Sequence, residues 1–259
     1  MLKKIVEYKS LELDHHRRKT PLKDIKLMAK DLEPPVKFLK NFSDTDLDVI
    51  AEIKKASPSA GLLQPDYATN FDPVKIAHAY VENGAKALSV LTDENFFQGS
   101  LKNLESVKSA VGLPVLRKDF TLGEYHIYQG RAHGADAILL IAAILDLYQL
   151  KDYHDLILEL GMTPLIEIHA ADEIKKISVF SPRFVGINNR DLETLKVDVA
   201  VTEKLLPEIS WPATVISESG LKHHETLVNF RSKGVRGFLI GENLLQGDPG
   251  ENLRKILQL

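Results

Sequence analysis

From about residue 47 onward the chain repeats one unit: an amphipathic helical stretch, a glycine, one or two spacers, then a short run of Val, Ile and Leu. It reads Glu82-Asn83-Gly84-Ala85-Lys86-Ala87-Leu88-Ser89-Val90, then Ala132-His133-Gly134-Ala135-Asp136-Ala137-Ile138-Leu139-Leu140, then Ser232-Lys233-Gly234-Val235-Arg236-Gly237-Phe238-Leu239-Ile240. Gly112 before Pro114-Val115-Leu116 and Gly161 before Pro164-Leu165-Ile166 are variants. Each glycine suits the left-handed position that ends a helix, and each apolar run lacks the strict alternation of a strand wetted on one face. Eight such runs occur: 49–54, 87–91, 114–118, 137–141, 164–168, 184–188, 214–218 and 237–240. Helices are expected between them at 73–83, 101–110, 124–133, 146–160, 170–178, 198–206, 223–233 and 250–257. Eight parallel strands with intervening helices close into a (β/α)8 TIM barrel. An open doubly wound sheet would instead want a glycine-rich first turn, and the first run is followed by Lys55-Ala56-Ser57-Pro58-Ser59.

The 259 residues match one barrel, and no composition break divides them, so one domain is expected: a barrel over 47–259 and, over 1–46, a helical extension broken at Pro34-Pro35. With 44% hydrophobic residues the chain can bury a core without covalent staples. The absence of cysteine excludes disulfides, thiolate nucleophiles and Cys-based zinc sites, and fits a reducing, cytoplasmic setting. Met1-Leu2-Lys3-Lys4 leads into charged sequence rather than a secretory apolar segment, and the longest apolar run, 137–147, is too short for a bilayer. A net charge of −3 gives no general attraction to nucleic acid or acidic membranes. The expected partner is a small molecule whose anionic group is held by a local site, and the expected state is a monomer.

In a barrel the active site lies where strands end. The first run ends in Glu52-Ile53-Lys54, and with period two Glu52 and Lys54 point inward if Ile53 points out to the helices. Further runs end in Lys118, Glu167, Asn188 and Glu218-Ser219. A buried lysine beside carboxylates can be a general acid, a Schiff-base nucleophile or an anion clamp, or belong to a structural ion-pair network. Two glycine turns, Glu218-Ser219-Gly220-Leu221 and Ile240-Gly241-Glu242-Asn243, follow the last two runs, where barrels hold phosphate on uncovered backbone N–H groups.

These stretches also carry a family resemblance. Val49-Ile50-Ala51-Glu52-Ile53-Lys54-Lys55-Ala56-Ser57-Pro58-Ser59 resembles the first-strand signature of indole-3-glycerol-phosphate synthases. So do Leu88-Ser89-Val90-Leu91-Thr92-Asp93-Glu94 with Phe97-Gln98-Gly99-Ser100, Leu116-Arg117-Lys118-Asp119-Phe120, Pro164-Leu165-Ile166-Glu167-Ile168, Gly186-Ile187-Asn188-Asn189-Arg190-Asp191-Leu192 and Ser217-Glu218-Ser219-Gly220. The resemblance implies ring closure, decarboxylation and dehydration of 1-(2-carboxyphenylamino)-1-deoxyribulose 5-phosphate, a carbon–carbon lyase step in tryptophan biosynthesis, with no cofactor and no metal. It implies Lys118 as general acid, Lys54 as anion clamp and proton-transfer partner, and Glu167 as stabiliser of a cationic intermediate and participant in dehydration. Glu52 and Asn188 would bind ribulose hydroxyls and orient the lysines. Ser219, Gly220 and Gly241 would hold the phosphate, and Glu218 and Ser57 would contact substrate. Pro58, Phe97, Phe120, Leu139, Ile141, Leu192 and Leu195 would form a slot for the aromatic ring, with Arg190 at its rim; ordinary barrel packing would explain the same apolar residues. Ala56 and Ala60 stand where some relatives carry lysine, and Glu242 where some carry serine, so the Glu242 carboxylate is expected to turn outward.

Other signals are weaker. Asp44-Thr45-Asp46-Leu47-Asp48 lacks the glycine and closing glutamate of a calcium loop and reads as a solvated turn. The nine histidines fit no metal spacing and are expected at the surface. Ser217 and Ser219 flank a glutamate rather than forming a nucleophile elbow. A Schiff-base aldolase and a non-catalytic sugar-phosphate-binding barrel remain alternatives. The sister barrel phosphoribosylanthranilate isomerase usually relies on a cysteine base, which this chain lacks. Loop one, 55–71, has the position of a lid.

Overall fold

The computed structural model describes residues 1–259. Eight strands form one closed parallel barrel: β1 (Val49–Ile53), β2 (Ala87–Leu91), β3 (Val115–Lys118), β4 (Ala137–Ile141), β5 (Thr163–Ile168), β6 (Phe184–Asn188), β7 (Thr214–Glu218) and β8 (Gly237–Ile240), each hydrogen-bonded to its neighbours in sequence and β8 to β1. All eight expected runs are therefore strands, with ends shifted by a residue at most. The barrel helices are α3 (Pro73–Glu82), α4 (Leu101–Ala110), α5 (Glu124–Ala132), α6 (Leu147–Glu159), α7 (Ala171–Ser178), α8 (Ala200–Leu205), α9 (His224–Ser232) and α10 (Pro249–Leu257).

Local chemistry accounts for these boundaries. Asp72 caps α3 by accepting from Val74 N and Lys75 N, with Pro73 at the first helical position; Asp146 and Gln149 form a reciprocal capping box on α6. Gly84, Gly134, Gly161 and Gly234 take φ of 95, 85, 77 and 108°, the left-handed stops expected from the repeat. Gly112 does not: α4 ends at Ala110 with Val111 extended, so Gly112 is only a spacer before its strand.

Strand residues divide between two cores. Val49, Ala51, Ile53, Leu88, Val90, Ile138, Leu140, Ile166, Val185 and Ile187 belong to the layer between barrel and helices. Ile50, Ala87, Leu116, Ala137, Leu139, Leu165, Phe184, Ile216 and Leu239 fill the barrel itself. This is the period-two alternation of a strand covered on both sides. The base of the barrel is plugged from outside its own strands: Phe38 is fully buried with its ring 5.8 Å from that of Phe184, the first residue of β6, and a Cβ at Gly237, the first residue of β8, would strike Phe42.

Residues 1–46 contain two helices, α1 (Leu2–Lys19) and α2 (Leu22–Lys30). The helical break lies at Thr20-Pro21, not at Pro34-Pro35 as expected. Thr20 is extended (φ −132°, ψ 101°) because a residue before proline is pushed out of the helical region, and Pro21 then starts a new helix. Pro34-Pro35 sit in the irregular stretch beyond α2, where no helix remains to be broken. The extension runs down the outside of α5. Tyr125 Oη donates to the carbonyls of His16 and Thr20, Arg131 donates to those of Leu32 and Glu33, and Val36 N donates to Asp136 Oδ1 at 2.7 Å. The acidic stretch 44–48 is not wholly a solvated turn, since Asp48 is fully buried and accepts from Ser43 N at 2.7 Å.

Lys9 pins α1 over the barrel mouth. Its side chain is 1% exposed, and its Nζ lies 2.9 Å from Glu12 Oε1, 2.9 Å from Asp93 Oδ2 and 3.0 Å from Asp119 Oδ1. Burial alone would lower its pKa, but Asp119, Asp93 and Glu12 outweigh burial and raise it. Asp93 also caps the short helix Glu94–Phe97, and Asp119 pairs with Arg117 at 3.0 Å. Removing one member of such a buried cluster leaves uncompensated charge. Lys9→Met is expected to cost about 3–5 kcal/mol in denaturant unfolding; a loss within the scatter of surface substitutions would show that the cluster does not hold the extension in place.

Candidate active site

At the strand ends the barrel opens into a cavity of about 660 Å³. Glu52, Lys54, Lys118, Glu167, Asn188, Glu218 and Ser219 all line it, so the polar strand-end residues singled out in the sequence do converge. The strand residues among them reach the cavity by the alternation that sends their neighbours Ile53, Arg117, Ile168 and Ile187 outward. Lys118 Nζ stands 2.7 Å from Glu167 Oε2 and 3.6 Å from Glu218 Oε2, and Lys54 Nζ lies 2.5 Å from Glu52 Oε1. Asn188 Oδ1 accepts from Arg190 N at 3.0 Å.

The two carboxylates that flank Lys118 are in opposite states. Burial would raise the pKa of Glu167, but Lys118 and His169 more than offset it and hold the group well below the usual carboxylate range. Burial pushes Glu218 up to about 8; Lys118 opposes the rise, and the charges of Glu167 and Glu52 add to it. Lys118 itself is raised, because Glu167, Glu218 and Glu52 outweigh the burial that would lower it. Neither oxygen of Glu218 accepts a hydrogen bond from a protein N–H or hydroxyl although the residue is 1% exposed; its polar neighbours are Lys118, at 3.6 Å, and the Glu167 carboxylate.

Space for these carboxylates is provided by glycine. A Cβ at Gly241 would run into Glu52 Oε1, and one at Gly186 would run into Glu218 Oε1. Gly241 therefore makes room for an acid as well as lining the cavity. Ser219 and Gly220 take successive positive φ values of 66 and 76°, and a Cβ at Gly220 would strike Val197. This turn sits with Gly241, Glu242 and Asn243 at one end of the cavity, next to His223, which precedes the first turn of α9.

At the other side Phe97, Phe120, Leu139, Ile141 and Leu192 form an apolar wall, with the Phe97 and Phe120 rings 6.2 Å apart and tilted by 38°. Ser57, Pro58 and Leu195 do not line it. Ser57 belongs to a two-residue antiparallel pair, Ala56-Ser57 with Gly61-Leu62, and its Oγ accepts from Ala60 N at 3.2 Å, which ties it and Pro58 into the turn of loop one. Leu195 has φ 62° and contributes its carbonyl to Arg190 Nη1 at 3.1 Å, so its backbone orients Arg190 instead of its side chain meeting a ring. Glu242 does not turn outward: its Oε2 accepts from Arg190 Nη2 at 3.0 Å, because that guanidinium is the nearest neutralising charge.

Several cavity residues were not anticipated. Leu91 and Leu239 complete the apolar lining, and Lys222 adds a cation beyond the Ser219-Gly220 turn. His169 escaped notice among histidines expected at the surface; its side chain is 12% exposed and Nε2 lies 3.3 Å from Glu167 Oε1. The spacing Glu167-Ile168-His169, which keeps both on one face, was its only signal. His126 is also buried, at 2% exposure. Ser217 is fully buried, with Asn189 Nδ2 3.0 Å from its Oγ, and takes no part in the cavity.

The family model described as indole-3-glycerol phosphate synthase matches residues 2–256. Proteins of that name from Rippkaea orientalis and Dehalococcoides mccartyi are 43% and 40% identical to this chain over 99% of its length, covering 89% and 100% of their own. The one from Neisseria meningitidis serogroup B is 42% identical over 97% of the chain and 96% of its own length. Among solved structures, the 3-hexulose-6-phosphate synthase from Salmonella typhimurium aligns with TM-score 0.64 at 11% identity, over 82% of this chain and 97% of that one. The tryptophan synthase A-subunit from Pyrococcus furiosus aligns with TM-score 0.61 at 14% identity, over 84% of this chain and all of the other. At such identities the two structures show the barrel fold alone. Matched from end to end by the family model and by relatives at 40% identity and above, the chain belongs to the indole-3-glycerol phosphate synthase family.

Proposed function

We propose that the cavity converts 1-(2-carboxyphenylamino)-1-deoxyribulose 5-phosphate to indole-3-glycerol phosphate, carbon dioxide and water, with extension and barrel acting as one domain. The observation that carries this reading is Lys118 Nζ held 2.7 Å from Glu167 Oε2 and 3.6 Å from Glu218 Oε2, with an aromatic-lined wall on one side of the cavity and two glycine turns on the other.

The substrate's ring would lie against Phe97, Phe120, Leu139, Ile141 and Leu192, and its phosphate at Ser219, Gly220 and Gly241, where uncovered N–H groups and the start of α9 favour an anion. The ring carbon bearing the carboxylate then attacks the C2 carbonyl while Lys118 gives its proton to the oxygen. A raised pKa keeps that proton in place until the oxygen becomes strongly basic. The cationic ring-closed intermediate meets the Glu167 carboxylate, loss of carbon dioxide returns the electron pair to the ring, and the C2 hydroxyl then takes a proton and leaves as water while C1 gives up a proton, forming the C1–C2 double bond of the indole. Lys54 clamps the substrate's anionic groups and assists proton transfer, while Glu52 and Asn188 orient hydroxyls and lysines.

Glu218, uncharged below about pH 8, can bind a hydroxyl without adding negative charge beside Lys118. A Schiff-base aldolase would need Lys118 as a free amine, and the carboxylates around it oppose deprotonation. Borohydride should therefore trap no adduct.

Lys118→Ala is expected to reduce turnover, followed by indole absorbance without added metal or cofactor, by about 10²–10⁴-fold. Near-native turnover in that variant would remove Lys118 from the role of acid. The kcat/KM profile of the native chain should decline as pH rises through about 8, because an ionised Glu218 adds a charge that weakens Lys118 as an acid. In Glu218→Gln, which cannot ionise, the decline should vanish; its persistence would assign that limb to another group.

A further inference from the structure

Beyond Glu167 the chain carries a second charged pair that the reaction above does not use. His169 Nε2 lies 3.3 Å from Glu167 Oε1, and its Nδ1 lies 3.6 Å from Glu173 Oε2. Glu173, in the first turn of α7, is 8% exposed and fixed in turn, since its Oε2 accepts from the backbone N–H of His169 at 2.7 Å. The two oxygens of Glu167 thus face different cations: Oε2 faces Lys118 and Oε1 faces His169.

The charges around this pair come from every side of the mouth. Glu167 and His169 are on and just past β5, Glu173 is on α7, and Asp191 acts on His169 from the loop after β6. Lys118 faces Glu167 from β3, Glu218 from β7, and Glu52 on β1 adds to the negative field at both Lys118 and Glu218. Burial would lower the pKa of His169, but the Glu167 and Glu173 carboxylates beside the ring raise it to about 9, so the ring is an imidazolium at neutral pH.

The reaction gives a reason for a second cation. When Lys118 passes its proton to the carbonyl oxygen, Glu167 loses the charge that faces Oε2. This happens in a water-poor site where an unpaired carboxylate readily takes a proton. An imidazolium on the far oxygen, which does not spend its own proton, keeps the carboxylate ionised at the moment the cationic intermediate needs it.

We propose that His169, held by Glu173, is a positioning residue that keeps Glu167 ionised and turned with Oε2 toward the reacting centre throughout ring closure. The proposal rests on the role given to Glu167 above.

The test compares His169→Leu, His169→Gln and Glu173→Gln with the native chain by kcat and KM across pH. The Glu167 carboxyl is also titrated by NMR in chain carrying 13C-glutamate, with the signal assigned through Glu167→Gln. In His169→Leu, kcat should fall about ten- to a hundredfold with KM within about threefold, and an acid limb should enter the range above about pH 5. His169→Gln, which keeps a donor without the charge, should regain part of kcat but not lose the acid limb, and Glu173→Gln should show a smaller shift of the same sign. The Glu167 carboxyl should stay ionised from about pH 4 to about pH 8 in the native chain and titrate within that window in His169→Leu. A merely structural role would leave both the acid limb and the carboxyl titration unmoved, and either result would overturn the proposal. Should the Leu variant fail to fold, the Gln variant carries the same two readouts. Should the native chain form no indoleglycerol phosphate, the proposed function falls while the titration still decides whether His169 sets the state of Glu167.

Discussion

Closing eight parallel strands on themselves leaves a strand residue only two places to go, the barrel's interior or the layer beneath the helices. Everything else in this molecule follows from that division. Low in the barrel the inward positions are apolar and are sealed by Phe38. At the upper end the inward positions are Glu52, Lys118, Glu167, Asn188 and Glu218, each flanked by outward residues that anchor its strand. A charge so placed cannot move to solvent without dismantling the strand below it, so its cost is met by the charges opposite.

That constraint explains why the mouth is neither all positive nor all negative. Two lysines stand among three carboxylates, and the excess acid is accommodated in two ways. Glu218 accepts a proton near neutrality, and Glu167 gains a third cation from His169. Glycine supplies the room: Gly186 and Gly241 lie where a methyl group would displace a carboxylate. Identical side chains thereby acquire different ionisation states within a few ångströms, which is the condition for one site to give and hold protons in successive steps.

The strands and the strand-end polar residues were legible because both depend on local sequence: an apolar run bounded by a glycine, the polar residue that ends it, and, in the first strand, a period of two counted from Ile53. What was not legible depends on partners that only the folded chain supplies. Pro34-Pro35 looked like the stronger break, yet Pro21 is the proline that falls where helix meets helix. Ser57 and Leu195 are held away from the apolar wall by hydrogen bonds within their own loops, which no motif reports. His169 and Lys9 are ordinary surface residues by composition, and only partners 2 to 110 positions away in sequence make them buried ions.

The path of the first 46 residues has a consequence for how the chain comes into being. Their bonds are to residues far downstream: Lys9 to Asp119, Val36 to Asp136, Ser43 to Arg231 and the N-terminal amine to Glu193. On the ribosome these residues emerge well before the partners that hold them, which lie from the loop after β2 for Lys9 to α9 for Ser43, and closing such long loops is what slows a fold. The extension is thus secured in stages, contact by contact, as the barrel follows it. Its helices wait beside a growing barrel, and the mouth acquires its cover only as the strands beneath supply the carboxylates that hold Lys9.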